Sequence, residues 1–133
     1  MRTAYEKWTA QRGIQAQIFE APPGGADQAG YELARTILKG RRSFDGILAP
    51  LDAMAAGFAR GARSLGLQLP RDLKIITTEG SWARHGDTPI TTVDFYPEIL
   101  VRQAVQLLIA HLEGRTAPEL SPPAPHLIIR STT

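Results

Sequence analysis

The amino-acid sequence predicts an α/β domain, built as a three-layer sandwich around a mostly parallel sheet. The first observation is the stretch of residues 44–77, where an apolar run, a helical pattern, a glycine and a second apolar run follow one another. This order is typical of the right-handed crossover between two parallel strands. The second is that helical and strand-like patterns alternate along the rest of the chain. The third is a hydrophobic fraction of 43% with a charged fraction of 21%, which is ordinary for a globular protein of 133 residues.

The segments before this crossover predict a helix, a strand and a second helix. Residues 3–12 have the apolar spacing of one helix face and end at Gly13. Residues 14–20 alternate apolar and polar side chains, as a half-buried strand does. After a loop rich in proline and glycine, Asp27 is placed to cap a helix that ends at Gly40.

The crossover itself brings two acidic residues to one edge of the sheet. Residues 45–50 predict a buried strand, and the helix that follows is capped by Asp52 and stopped by Gly66. Residues 73–77 predict the next strand, and Glu79 comes directly after it. Open α/β sheets bind their ligands at the carboxyl ends of the strands. We therefore predict that Asp52 and Glu79 face a common ligand-binding cleft.

The remaining segments complete an α/β order. Residues 78–89 form a long polar loop without periodicity, a kind of loop that often carries function. A β-branched run at residues 90–94 predicts a strand, and a strongly apolar helix follows from Pro97 to Gly114. A proline-rich linker then leads to a closing strand at residues 127–129 and a polar tail.

Composition excludes several classes of protein. A formal net charge of +2 is too small to indicate a nucleic-acid-binding surface. The chain has no cysteine, which excludes disulfides and thiol chemistry and favours the cytoplasm. Its longest apolar run is far shorter than the ~20 residues that a membrane span needs. The sequence thus predicts a soluble cytoplasmic domain that contacts neither nucleic acid nor membrane directly.

The motifs of common cofactor and catalytic sites are also missing from the sequence. Gly24 and Gly25 are not followed by the lysine and hydroxyl residue of a phosphate-binding loop. The histidines lack the spacing of metal ligands, and no serine lies in a nucleophile elbow. We expect no metal and no cofactor, and an α/β enzyme is the weakest of the alternatives. The three histidines are His85, His111 and His126.

Several short motifs, taken in order, are shared with one known family. They are Gly30-Tyr31 with Ala34, Asp45-Gly46-Ile47, the run from Leu51 to Gly57, Leu65-Gly66-Leu67 with Leu69-Pro70, the run from Pro89 to Val93, and Leu127-Ile128-Ile129-Arg130 with Ser131-Thr132. In this order and spacing, the chain resembles the ligand-binding domain of LacI-type bacterial transcription regulators, which belong to the periplasmic-binding-protein-like superfamily.

The resemblance implies a small molecule, often a sugar, bound between two lobes. It implies that Asp52 hydrogen-bonds ligand hydroxyls and that Glu79 stands where the family usually has an aspartate. Ile90 corresponds to an apolar position that lines the cleft. The family's stacking aromatic has no counterpart in residues 22–26, and Trp82 is a candidate to replace it.

The resemblance also implies that parts of such a regulator have no counterpart here. The DNA-reading helix-turn-helix, the hinge and most of the first lobe are not matched. We therefore expect residues 1–133 to form a partial effector-binding domain, the C-terminal lobe with a crossover helix at residues 97–113, without a DNA-binding domain. DNA would be contacted by an N-terminal domain outside these residues.

Simpler interpretations stay open at each site. Asp52 could serve only as a helix cap, Glu79 could be solvated, and Trp82 could pack as a lid. At the level of function, the main prediction is a domain that senses a carbohydrate-like effector and forms a homodimer. The alternative is a fragment that binds no ligand and self-associates, because the apolar helix at residues 97–113 would be exposed without a partner.

Overall fold

The computed structural model describes residues 1–40, 44–80 and 88–133, which form four helices and four strands. The helices are α1 (Arg2–Ala10), α2 (Ala26–Ile37), α3 (Asp52–Ser64) and α4 (Pro97–Leu112). The strands are β1 (Gly46–Ala49), β2 (Lys74–Thr77), β3 (Thr91–Asp94) and β4 (His126–Ile128).

The four strands form one sheet in the order β1-β2-β3-β4. The strands β1, β2 and β3 are parallel, and β4 runs antiparallel to β3, with Asp94 opposite His126. The carboxyl ends of β1, β2 and β3 therefore meet at one edge, where β4 begins. The predicted α/β class and the mostly parallel sheet are confirmed.

One face of the sheet is covered by the closely packed pair α2 and α3. The core cluster takes Ala34 from α2, Leu38 directly after it, Phe58 and Ala62 from α3, and Ile75 from β2, all nearly inaccessible to solvent. On the other face, Leu48 of β1 is 49% exposed. The main hydrophobic core thus lies between the α2–α3 pair and the sheet.

Glycine allows the two helices to approach this closely. A Cβ atom at Gly57 of α3 would overlap the backbone carbonyl of Asp27, and one at Gly30 of α2 would overlap that of Met54. A salt bridge also joins the two helices at the surface, where the Arg60 guanidinium donates to both carboxylate oxygens of Asp27 at 2.6 and 2.8 Å.

Two predictions before the crossover are wrong. Residues 14–20 form no strand, and among the described residues the sheet consists of β1, β2, β3 and β4. An alternating pattern predicts which side chains face inward, but it does not supply a neighbouring strand. Asp27 is not the cap of α2: Gly25 holds the N-cap position, and Asp27 lies in the first turn, where it binds Arg60.

The last residues of the chain are part of the sheet's framework. Thr132 is completely buried, and its hydroxyl donates to the Ile75 carbonyl at 2.7 Å and accepts from the Thr91 N–H at 2.9 Å. Its own carbonyl accepts from the Ile75 N–H at 2.9 Å. Thr132 therefore joins the starts of β2 and β3. Within the predicted polar tail, Thr132 is therefore a buried hydrogen-bonded connection, whereas Ser131 is exposed.

Candidate functional site

Asp52 is buried where β1 passes into α3. It is 3% exposed, and its Oδ1 atom accepts from the Thr77 hydroxyl at 2.9 Å and from the Gly80 N–H at 3.1 Å. The N-cap position of α3 belongs to Leu51, so the predicted cap by Asp52 is wrong. The described bonds of this carboxylate instead join the start of α3 to the end of β2.

Glu79 supplies the acceptor that Asp52 was predicted to supply. Its Oε2 atom accepts from the backbone N–H of Asp52 at 3.0 Å, across 27 residues of sequence. The first N–H groups of a helix have no partner within the helix, and a negative charge there is stabilised by the helix dipole. Glu79 is nevertheless exposed as a residue. The two acids therefore lie together at one edge of the sheet, and their contact with a ligand remains a prediction.

The other two candidate residues do not extend this site. Ile90 is 2% exposed and packs in the hydrophobic core. Its cleft-lining role stays a prediction. Trp82, the candidate stacking residue, lies outside the described residues.

A further polar group at the same edge was missed by the sequence analysis. Asp94, the last residue of β3, accepts the Tyr96 N–H on its Oδ1 atom at 2.8 Å. The Tyr96 hydroxyl and His126 Nδ1 are 2.7 Å apart, and their rings stack with centroids 5.2 Å apart at 19°. No local pattern signals this pair, because its members are 30 residues apart in the sequence.

Gly80 lies close to both groups of polar residues, the pair of Asp52 and Glu79 and the group that contains Asp94. Its N–H binds Asp52, and a Cβ atom placed on it would lie 3.7 Å from Asp94 Oδ1. Its φ of +86° belongs to the left-handed region that glycine adopts readily. The backbone at Gly80 therefore passes between the two carboxylates, and the polar edge is continuous from α3 to β4.

A separate group of charged residues lies on the outer surface of α2 and α3. The Arg35 guanidinium donates to the Tyr31 hydroxyl at 3.3 Å, and this hydrogen bond is the largest cause that lowers the pKa of the phenol. Arg60 is held by Asp27. Because these residues bind one another at an exposed surface, we do not place a ligand site there.

The chemistry of the polar edge suits hydrogen bonding to a neutral ligand. It offers carboxylate acceptors beside an aromatic pair. Within the described ranges, no group of three or more His, Cys, Asp or Glu side chains could hold a metal ion. In the same part of the chain, no helix combines the length and apolarity required to cross a membrane.

Comparison with known proteins gives consistent matches. A family model described as a periplasmic binding protein-like domain matches residues 1–133. The HTH-type transcriptional repressor MelR of Bacillus subtilis is 34% identical over 104 residues, which cover 77% of this chain and 30% of MelR. A LacI-family transcriptional regulatory protein from Corynebacterium glutamicum has a TM-score of 0.86 at 26% identity, covering 98% of this chain and 51% of that one.

A further solved structure is a LacI family transcriptional regulator from Arthrobacter sp. FB24 in complex with lactose. It has a TM-score of 0.81 at 26% identity and covers 98% of this chain and 49% of its own. The present chain thus spans about half the length of these solved regulators and a smaller share of MelR. These similar proteins are transcriptional regulators and not enzymes.

Proposed function

This chain belongs to the periplasmic binding protein-like family, among the LacI-type transcriptional regulators, and from that membership we propose that it senses a small polar effector, most simply a carbohydrate. Within such a regulator, residues 1–133 contribute the C-terminal lobe with its crossover helix, and DNA is contacted by other parts of the protein. The proposed setting is the cytoplasm, where transcription regulators act.

The observation that carries this proposal is the convergence of Asp52 and Glu79 at the carboxyl edge of the sheet. The Glu79 carboxylate accepts from the backbone N–H of Asp52, and the two residues follow the ends of two different strands. Ionised carboxylates offer about four acceptor sites each, which suits the many hydroxyl donors of a sugar. The lactose in the Arthrobacter regulator supports the carbohydrate class.

Removing either acceptor should weaken effector binding. We expect Asp52→Asn and Glu79→Gln each to reduce sugar affinity by about 1–3 kcal/mol, because a hydrogen bond to a charged acceptor is lost. Isothermal titration calorimetry against a panel of mono- and disaccharides measures the effect. The matched control is Glu119→Gln, since Glu119 is exposed in the linker after α4.

Glu79→Gln is the more informative of the two variants. Asp52 is buried and holds Thr77, so its replacement also lowers stability, which a thermal melt must separate from binding. Sugar binding that neither substitution weakens would show that these residues are not the site. The absence of binding by any sugar in the panel would contradict the effector role of this chain.

The exposed apolar surface of α4 supports self-association as a second function of the chain. Val101, Val105, Leu108 and Leu112 lie at helical spacing on one stripe and are 62, 49, 57 and 74% exposed. Among the described residues of α4, only Ala110 is buried. A continuous apolar stripe of this kind usually marks an interface. We propose that a second copy of the chain covers it, which is compatible with effector binding.

A charge placed on this stripe should separate the two copies. We expect the wild-type chain to be a dimer at micromolar concentration and Leu108→Glu to be a monomer, because the carboxylate would have to be desolvated in the interface. Light scattering measures the mass. Gln106→Glu, an exposed position off the stripe, is the control and should remain dimeric. A monomeric wild-type chain would contradict this role.

A further inference from the structure

The strand β1 forms one edge of the sheet. In the part of the chain that the structure describes, the sheet begins at β1, whose neighbour is β2. Their pairing is regular from Gly46 to Ala49, so no bulge interrupts this edge. Natural proteins commonly protect edge strands with charged residues, proline or bulges, because free backbone groups there can pair with another chain. Residues 46–49 contain no charged residue and no proline, so β1 carries none of these protections.

The backbone groups that β1 directs outward belong to Gly46 and Leu48. The Asp45 carbonyl accepts from the Lys74 N–H at 2.8 Å and therefore points towards β2. Because successive residues of a strand direct their backbone groups alternately to either side, Gly46 and Leu48 turn their N–H and C=O groups away from β2. Both residues are exposed, Leu48 at 49%. The edge thus offers accessible donors and acceptors at two positions.

Pro50 sets the length of this edge. It occupies the next outward position after Leu48, and proline has no N–H to donate. Hydrogen bonds to an added strand are therefore concentrated at Gly46 and Leu48. The occupant that fits best is one whose own donors and acceptors are used up by these two residues.

A second copy of β1 meets this condition when it runs antiparallel, with Ile47 opposite the same residue of the other copy. In that register, Gly46 of each copy forms a hydrogen-bonded pair with Leu48 of the other, and such a pair exchanges both of its N–H···O bonds. Every outward donor and acceptor of the two residues is then paired. Opposite side chains of antiparallel strands lie on the same face, so the α2–α3 pairs of both copies cover the same face of the joined sheet.

Exposed apolar side chains flank the two ends of this edge. Leu51, after the end of β1, is 41% exposed. Before its start, the Phe44 ring contacts Phe19 with centroids 5.5 Å apart, and Phe19 is 38% exposed. In an antiparallel pair the end of one strand lies beside the start of the other. Leu51 of one copy is therefore brought to the same end of the contact as Phe19 and Phe44 of the other.

We propose that β1 pairs with β1 of a second copy across a two-fold axis, so that two four-stranded sheets become one. Such a contact is isologous, since both copies use the same surface. It is separate from the α4 stripe and does not depend on effector binding. A contact limited to one short strand buries much less than the roughly 1,200 Å² of a stable interface, so it forms only well above micromolar concentration. It is therefore compatible with a Leu108→Glu variant that is monomeric at micromolar concentration.

Amide hydrogen exchange followed by NMR tests the pairing residue by residue. The Leu108→Glu variant, which removes the proposed α4 contact, is compared at about 50 µM and about 1 mM, a range suited to a weak contact. We expect exchange at Gly46 and Leu48 to slow at least about 5-fold at the higher concentration, because their N–H groups are then hydrogen-bonded. The Ile47 N–H points to β2 in both states and is the internal control.

A substitution at Leu48 tests the same contact by mass. Leu48→Pro removes an outward N–H and leaves the bonds to β2, as proline does on edge strands. In the Leu108→Glu background we expect it to be monomeric at about 1 mM by sedimentation equilibrium, where the parent variant associates. Leu48→Thr is the matched control, because it loses the apolar side chain but keeps the N–H, and it should retain most of the association.

The outcomes decide the proposal even if Leu48→Pro does not fold, because the exchange measurement needs no change in the strand. Exchange at Gly46 and Leu48 that is independent of concentration would contradict the pairing. Association that survives Leu48→Pro would place the second copy on another surface. If Leu48→Thr abolishes association as fully as Leu48→Pro, the contact is apolar and not a strand pair, and the proposal is wrong.

Discussion

Thr132→Val should lower the free energy of unfolding by about 2–4 kcal/mol, although it changes one hydroxyl for a methyl group at the second-last residue. The hydroxyl donates to the Ile75 carbonyl and accepts from the Thr91 N–H. All three residues are fully buried, so valine leaves one acceptor and one donor without water or a partner. Each such group costs about 1–3 kcal/mol. Urea denaturation followed by circular dichroism measures the change.

A matched substitution tests whether the position, and not the residue type, causes this loss. Thr116 is exposed in the linker after α4, and Thr116→Val should leave stability within about 0.5 kcal/mol. Equal stability of the Thr132 and Thr116 variants would show that the tail does not join β2 to β3 in solution.

The tail also shows why part of the fold could not be predicted from the sequence. Arg130 to Thr133 follow the last strand and are polar, a composition typical of a solvated terminus. Thr132 is buried because its partners are Thr91 and Ile75, 41 and 57 residues away. In contrast, α3 and its flanking strands were predicted within one or two residues, because their periodicity and glycine stop are local signals.

The candidate site could likewise be predicted only in part. Asp52 and Glu79 could be brought to one edge by reasoning, because consecutive parallel strands end on the same side of a sheet. Their roles could not be assigned: an acid at a helix start is compatible with capping its own helix or with accepting from the next strand. The structure shows the second arrangement for Asp52, with Glu79 bound to the Asp52 N–H. The pair of Tyr96 and His126 depends on the antiparallel return of β4, which no local pattern reveals.

Gly57→Ala should destabilise the domain by about 2–4 kcal/mol, against the usual preference of helices for alanine. In an open helix this substitution would gain up to about 1 kcal/mol. Here the added methyl group would overlap the Asp27 carbonyl, which is backbone and cannot rotate away. The helices α2 and α3 must then separate, and overpacking of this kind typically costs 1–3 kcal/mol, occasionally more. Thermal denaturation measures the loss.

Gly46→Ala provides the comparison, since a Cβ atom at Gly46 would meet its nearest atom only at 3.9 Å. It should be close to neutral. The helix α3 also begins with Asp52, so a shift of this helix away from α2 displaces the buried carboxylate from Thr77 and Gly80. We therefore expect Gly57→Ala to weaken sugar binding as well, even under conditions where the chain remains folded. A variant with unchanged stability and unchanged affinity would contradict the close contact of α2 with α3 on which the position of Asp52 depends.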